Sequence, residues 1–434
     1  MEESISQTKI LTLNEIESKY NISFEDLKDC HEIIVQIFNS ENINPNDYNL
    51  EDVTILLIIA NYYELVKQDN ELALQFNKLA ADKSSPSAMY EVGNYYYKKD
   101  NEELMVKYYD LAISNGITEP IVILGTYFRR KKDYEQMKKY FNIGIEKGCS
   151  ESMYQLGLYY YLYGKDNELA KKYYLMASEQ FHPEALFQLS KYYEYIEKDP
   201  EQCIQYLNLA VEYKSEKAIM HMAKSESSYS KKKKYLEMGV ELANTEAMYE
   251  LANLLWRRER EESKDKIKEL LAKASDLGHV ESSYQLGAYY KQVESNPELS
   301  IKYFSLGAEK DFVEALFALG NIYIEKKEYD TGVKYYERAI KQGHVRSMYN
   351  LGIYYQTVVK NSSMSVLYFQ RASDKGFIEA TKKLYFHYKN TEPNEKLKKK
   401  YMEILEKKER EIMMNNMRGH GLNSVMSLFG MFMD

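Results

Sequence analysis

The chain has 434 residues, of which 44% are hydrophobic and 29% charged, with a formal net charge of −8. That balance can build a core and leaves a mildly acidic surface. It argues against a nucleic-acid partner, whose phosphates need a concentrated cationic stripe. Only 7 prolines and 19 glycines occur, which favours helix over sheet or disorder.

The first stretch, MEESISQTK, is polar and acidic, without the basic and apolar regions of a secretory leader. Ser23-Phe24-Glu25-Asp26 has the form of a helix N-cap box. Leu27, Ile33, Ile34, Ile37 and Phe38 follow it at helical spacing. Residues 1–53 are therefore expected to form an N-terminal helical cap. The apolar run VTILLIIA, at 53–60, is far shorter than the roughly 18 residues that span a bilayer. No transmembrane segment is expected. Cys30, Cys149 and Cys203 stand singly, as the reduced thiols of an intracellular protein do. The expected location is cytoplasmic (the host's cytoplasm, if the chain is viral).

From residue 54 one pattern returns. SAMYEVGNYYYKKD begins at Ser87, EAMYELANLLWRRE at Glu246, EALFALGNIYIEKK at Glu314 and RSMYNLGIYYQTV at Arg346. Its small residue gives an anchor: Ala60, Gly93, Gly125, Gly157, Ser190, Ala223, Ala252, Gly287, Gly320 and Gly352, with Tyr385 in a worn last copy. Most spacings are 32 or 33, and the extremes are 29 and 35. A second pattern, as in KYYDLA (107–112) and KYYERA (334–339), places another small residue 19 or 20 positions after most anchors. It ends near Gly116, Gly148, Gly278, Gly343 or Gly376, where a left-handed C-cap fits. Two small residues at fixed offsets imply two helices whose backbones approach closely, with large residues filling the space beside them. This explains the 43 tyrosines against one tryptophan. Adjacent rings point about 100° apart on a helix. One ring of a pair can pack inside its own hairpin while the other reaches the neighbouring repeat.

The pattern A-x-x-x-L-G-x-x-Y, then Y-x-x-A, then G-H (Gly278-His279, Gly343-His344) resembles the Sel1-like branch of the tetratricopeptide superfamily. The resemblance covers about residues 54–409. It departs from the family in lacking the glycine-rich turn between the two helices, which short links such as KKDNEELM replace. The expected fold is all-α: a right-handed α-solenoid of about eleven tandem helix-turn-helix repeats of period 32–33. Residues 54–389 hold the repeats, 390–413 a closing helix and 414–434 an apolar, Met-rich tail. A shortened sixth repeat and a lengthened seventh, around SESSYSKKKK and RRREREESKDK, are expected to bend the array or adapt its surface.

In tetratricopeptide-like hairpins the first helix lines the concave side. The resemblance therefore implies a groove-facing residue three before each anchor: Tyr90, Tyr154, Phe187, Tyr249, Tyr284, Phe317 and Tyr349. Asn94, Asn253 and Asn321, one after their anchors, are its neighbours. Such an aromatic ladder suits an extended peptide or a partner helix. The same rings can equally serve as packing within the array. The relatives that clamp chaperone carboxylate tails use a lysine where these aromatics stand, so that role is disfavoured. In the tail, Leu422, Val425, Met426, Phe429 and Met433 fall at helical spacing and form a second candidate, a docking or self-association element.

Catalytic signatures are missing: there is no GxxxxGKS or GxxxxGKT, no HExxH and no GxSxG. His182, His279 and His344 recur at equivalent inter-repeat turns, where separate repeats hold them apart from a common metal. The expectation is a non-catalytic scaffold or adaptor without metal or cofactor. It binds a protein or peptide partner. An RNA-binding helical repeat and a self-assembling component are the alternatives.

Overall fold

The computed structural model describes residues 11–20, 23 and 30–419, and none of these lies in a strand. Most of the expected N-terminal cap box (Phe24 to Asp26, with Leu27 after it) lies outside the described residues. So do the tail positions Leu422, Val425, Met426, Phe429 and Met433. From residue 53 the helices alternate in eleven hairpins. The first helices are Val53–Leu65, Pro86–Lys98, Glu119–Lys131, Ser150–Tyr159, Pro183–Tyr192, Glu216–Ser225, Thr245–Arg258, Val280–Gln292, Val313–Glu325, Val345–Tyr354 and Ile378–Phe386. The second helices are Asn70–Asp82, Glu102–Ser114, Tyr134–Glu146, Asn167–Ser178, Pro200–Glu212, Tyr229–Glu241, Lys264–Asp276, Pro297–Glu309, Tyr329–Lys341, Ser362–Asp374 and Glu395–Gly419. The last helix runs past residue 413. The chain divides into two compact units, Met1–Ala218 and Ile219–Asp434.

The first ten hairpins are each closed by the same backbone device. At the end of a second helix, one residue enters the left-handed region. Five of these are glycines (Gly116, Gly148, Gly278, Gly343, Gly376), and Ser84, Phe181, Lys214, Ala243 and Asp311 adopt the same conformation without glycine. The next residue donates its N–H five positions back, as in Cys149 to the Gly144 carbonyl (2.8 Å) and His279 to the Ala274 carbonyl (2.9 Å). This is the Schellman closure. The links within hairpins use left-handed Asp100, Lys132, Lys165, Lys198, Lys327 and Lys360 in place of the glycine-rich turn. Most then start the second helix with an Asp or Asn cap, such as Asp133 on Gln136 N–H (3.1 Å) or Asn296 on Leu299 N–H (3.0 Å).

The paired aromatics divide their work. The second ring of a pair stacks on its own second helix: Phe128 on Tyr140 (5.7 Å, 1°), Tyr160 on Tyr173 (5.6 Å, 5°) and Tyr193 on Tyr206 (5.4 Å, 4°) in the first unit. In the second unit Tyr290 stacks on Tyr303 (5.5 Å, 9°) and Tyr388 on Tyr401 (5.8 Å, 2°). The first ring reaches back to the preceding hairpin. Tyr159 meets Tyr134, Tyr289 meets Trp256, and the Tyr127 and Tyr192 hydroxyls donate to Glu102 (2.9 Å) and Glu168 (3.0 Å). Stacked rings add roughly 0.5–1.5 kcal/mol per pair beyond their buried area.

The expectation that the two small residues bring the backbones of one hairpin together needs correction. The anchor glycines are covered by a ring. A Cβ on Gly157 would lie 2.6 Å from Tyr174 Cδ1, and one on Gly287 would lie 2.7 Å from Phe304 Cδ1. The close approach occurs at the seam between hairpins instead. A Cβ on Gly239 would lie 2.5 Å from Ala247 Cβ, and one on Gly307 would lie 3.0 Å from Ala315 Cβ. At these seams, and at Gly144 opposite Ser152, the small residue of the second helix thus faces the small residue that opens the next first helix. At two seams a buried hydroxyl pair also crosses: Ser275 with Ser283 (2.7 Å) and Ser373 with Thr381 (2.8 Å).

Candidate functional site

The position three before each anchor is one helical turn from the covered glycine, so its ring borders the same aromatic that lies over that glycine. Tyr90 sits 6.0 Å from Tyr109, Tyr284 5.5 Å from Phe304, Phe317 6.2 Å from Tyr336 and Tyr349 5.6 Å from Phe369. The other side of the ring meets the residue at the N-cap of the next first helix. Tyr154 stacks on His182 (4.9 Å), Tyr249 lies 5.1 Å from His279, and Phe317 lies 4.8 Å from His344. Phe312 and Phe377 take that place beside Tyr284 (5.8 Å) and Tyr349 (5.1 Å). In the second unit an aromatic ring or imidazole therefore stands at the N-cap of every first helix from 279 to 377. Phe187, in the first unit, carries the Lys191 ammonium 5.5 Å from its centroid.

These positions are half-buried, not displayed. Tyr154 is the exception: it is only 5% exposed, which removes it from the candidate surface. Tyr90, Phe187, Tyr249, Tyr284, Phe317 and Tyr349 keep an exposed edge. The asparagines also differ from expectation. Asn94 accepts the Tyr109 hydroxyl (2.7 Å) and donates to Glu91 (3.2 Å). Asn321 accepts the Tyr336 hydroxyl (2.6 Å) and the Asn350 amide (2.8 Å). Both hold the phenol that covers the anchor glycine, so their first role is internal. Asn253 instead accepts from Gln285 (2.9 Å), which also donates to the Tyr249 hydroxyl (3.2 Å) and so ties two neighbouring hairpins.

The histidines of the inter-repeat turns are helix caps, a role the sequence reading missed. Nδ1 of His182, His279 and His344 accepts the N–H of Ala185 (3.2 Å), Ser282 (3.3 Å) and Ser347 (3.2 Å). An Nδ1 that accepts leaves the proton on Nε2. At His182 that Nε2–H points to Glu151 at 2.9 Å. Burial alone would raise the Glu151 carboxyl, but hydrogen bonds from His182 and Gln155 outweigh it and hold the group below its ordinary range. Burial pushes His344 down, with Arg346 acting in the same direction and Glu314 opposing. The signal for the caps was a recurrent His followed three residues later by Ser or Ala, as in His279 and Ser282, His344 and Ser347, and His182 and Ala185. No group of three or more His, Cys, Asp or Glu placed to hold a metal occurs among the described residues.

In the second unit two of the ring positions, Tyr284 and Phe317, border an open groove of about 970 Å³. Tyr284, Phe312, Phe317 and Phe377 give it apolar lining, and its charges are balanced, Lys310 and Arg346 against Asp311 and Glu314. In the first unit a smaller recess of about 250 Å³ lies between Glu64, Asn77, Glu91 and Asn94. Burial raises the Glu91 carboxyl there, and Glu64 adds to the shift.

Tandem two-helix hairpins joined by Schellman turns and sealed by small-on-small seams define an α-solenoid of tetratricopeptide type. The Sel1 repeat family matches residues 60–85, 86–116, 150–180, 183–212, 245–279, 280–312 and 345–377, together about half of the chain. A tetratricopeptide repeat matches 313–342. The chain belongs to the Sel1 repeat family. Among solved structures it is similar to c5321, a protective antigen of uropathogenic Escherichia coli strains that displays an SLR fold. The two share 21% identity and a TM-score of 0.50 over 80% of this chain and 83% of that one. A Sel1 repeat protein from Oxalobacter formigenes is 15% identical, covering 67% of this chain and 90% of that one, with a TM-score of 0.47. The human IFIT1 dimer with PPP-AAAA is 16% identical, covering 89% and 92%, with a TM-score of 0.39. No curated protein matches the chain. Repeats of this family generally serve as protein–protein interaction scaffolds, and no described helix is long and apolar enough to cross a membrane.

Proposed function

We propose that the chain is a non-catalytic scaffold that binds a peptide or a partner protein along the exposed edges of the first-helix aromatics. The observation that carries this reading is the groove of the second unit, where Tyr284 and Phe317 meet Phe312 and Phe377 around open space. Rings fixed on two sides present an edge at little further entropic cost, which is what a hot-spot contact requires. Tyr249, Tyr284, Phe317 and Tyr349 are the principal contacts. Tyr90 and Phe187 are the corresponding edges of the first unit. RNA is the weaker ligand: the ladder is flanked mostly by amides and carboxylates, not by a run of cations.

Selection of a random peptide library against the full chain tests this reading. Peptides recovered should lose at least tenfold in affinity for Tyr249→Ala plus Tyr284→Ala, with helicity unchanged by circular dichroism. Binders indifferent to that double change would refute it. Short RNA oligonucleotides in the same assay should bind only at low salt.

A further inference from the structure

We propose that the groove lined by Tyr284, Phe312, Phe317 and Phe377 receives this chain's own segment 420–434. The inference rests on the ladder being a binding surface. Three observations select this occupant. First, the segment follows directly on the helix Glu395–Gly419, which belongs to the same compact unit as the groove. Second, its apolar residues repeat at the spacing of the rungs. Leu422 to Phe429 and Met426 to Met433 are each separated by seven residues. As a helix, seven residues advance about 10.5 Å. Successive first helices, each packed mainly on second helices, stand somewhat farther apart than the roughly 8–10 Å of directly packed helices. Two successive apolar residues of the segment therefore meet two successive rungs. Third, the charges agree. The segment has no lysine or arginine, and Asp434 is its one charged residue. The charged lining of the groove is balanced, Lys310 and an exposed Arg346 against Asp311 and Glu314, which suits a nearly uncharged segment. Met and Phe are the residues that adapt best to an irregular aromatic surface, since thioether and ring edges both pack favourably on rings.

The test uses the full chain with a photoreactive phenylalanine analogue in place of Phe429. After irradiation and digestion, crosslinks are expected on residues of the span 280–377, chiefly next to Phe312 and Phe377. Val313→Asp plus Val345→Asp places carboxylates on the groove wall in the first turn of two helices, where acids are tolerated. These changes should cut the crosslink yield at least fivefold while melting stays within a few degrees. Crosslinks only outside 280–377, or none, overturn the proposal. So does a yield unaffected by the two valine changes. The library selection described above reports on the ladder independently. Ladder-dependent peptides without the crosslink leave the scaffold reading standing and remove this occupant. Absence of both removes both.

Discussion

Gly157→Ala is the most direct trial of the packing described here. In an unhindered helix interior the change stabilises by about 1 kcal/mol, because alanine loses less backbone entropy than glycine. At this site the added methyl would stand 2.6 Å from both Cδ1 and Cε1 of Tyr174, and 3.2 Å from the Ala170 carbonyl oxygen. Carbon pairs prefer about 3.5–4.0 Å, so the ring must retreat by roughly 1 Å. Tyr174 is 1% exposed and has Tyr154 beside it at 6.2 Å, which leaves it no open space. Forcing the ring off its rotamer, or parting the two helices, costs roughly 1–3 kcal/mol. The expected net effect is a loss of about 1 kcal/mol, opposite in sign to the propensity. Because long repeat arrays need not unfold in one step, the assay is amide hydrogen exchange on peptides from 150–178, read beside circular dichroism. Protection should fall locally. With Tyr174→Leu present, the same alanine should be nearly neutral or stabilising, a coupling of about 1 kcal/mol. A gain of about 1 kcal/mol for Gly157→Ala alone would refute the ring-on-glycine account.

The Tyr336 hydroxyl donates to Asn321, whereas the buried Tyr174 hydroxyl has no hydrogen-bond partner among the described residues. Tyr336→Phe should therefore cost about 1 kcal/mol by urea unfolding or local exchange, and Tyr174→Phe should cost nothing or stabilise slightly. Lys327 sits at φ +65° in an exposed link. Lys327→Gly should stabilise its hairpin by about 0.5–1 kcal/mol, seen as increased exchange protection over 313–341. His344 has its pKa depressed by burial in the folded state. Its contribution is then complete above the unfolded value of about 6.5 and is lost as pH falls through the lower folded value. Melting of the wild-type chain between pH 7.5 and 5 should drop more than that of His344→Asn, which keeps a cap but does not titrate. Equal drops would count against the buried neutral cap.

The hairpins were legible because glycine, alanine and paired rings recur at positions that packing dictates. Tyr160 and Tyr159, adjacent in sequence, take the inward stack and the backward reach that a 100° offset requires. What lies over the anchors was not legible. A small residue announces a close approach but does not say whether a ring or a backbone arrives, and here Tyr174 and Phe304 arrive. The glycine-poor links were read as a departure from the family, yet Lys132 and Lys198 make the same left-handed step. The ladder was placed from the resemblance. Its burial was not readable, because Tyr154 and Tyr249 hold the same position, and it is the stacked His182 ring and the Lys217 ammonium at its hydroxyl that cover Tyr154. Asn94 and Asn321 looked available since an amide in a pattern carries no mark of the phenol that will occupy it.

The small-on-small seam makes hairpins interchangeable parts. Gly307 faces Ala315, and Ser347 is the residue that corresponds to Ala315 one repeat later. Excision of 313–344 would join Phe312 to Val345, bring Gly307 against Ser347 and set Met348 where Leu316 now packs. Every element of the junction (the left-handed Asp311, the closing hydrogen bond from the Phe312 N–H to the Gly307 carbonyl, the opening turn of the next helix) lies wholly on one side of the cut or the other. Such a chain can gain or lose a unit by duplication or deletion of its gene without inventing a new interface. The number of hairpins in the array is thus a quantity that copying errors can adjust one step at a time.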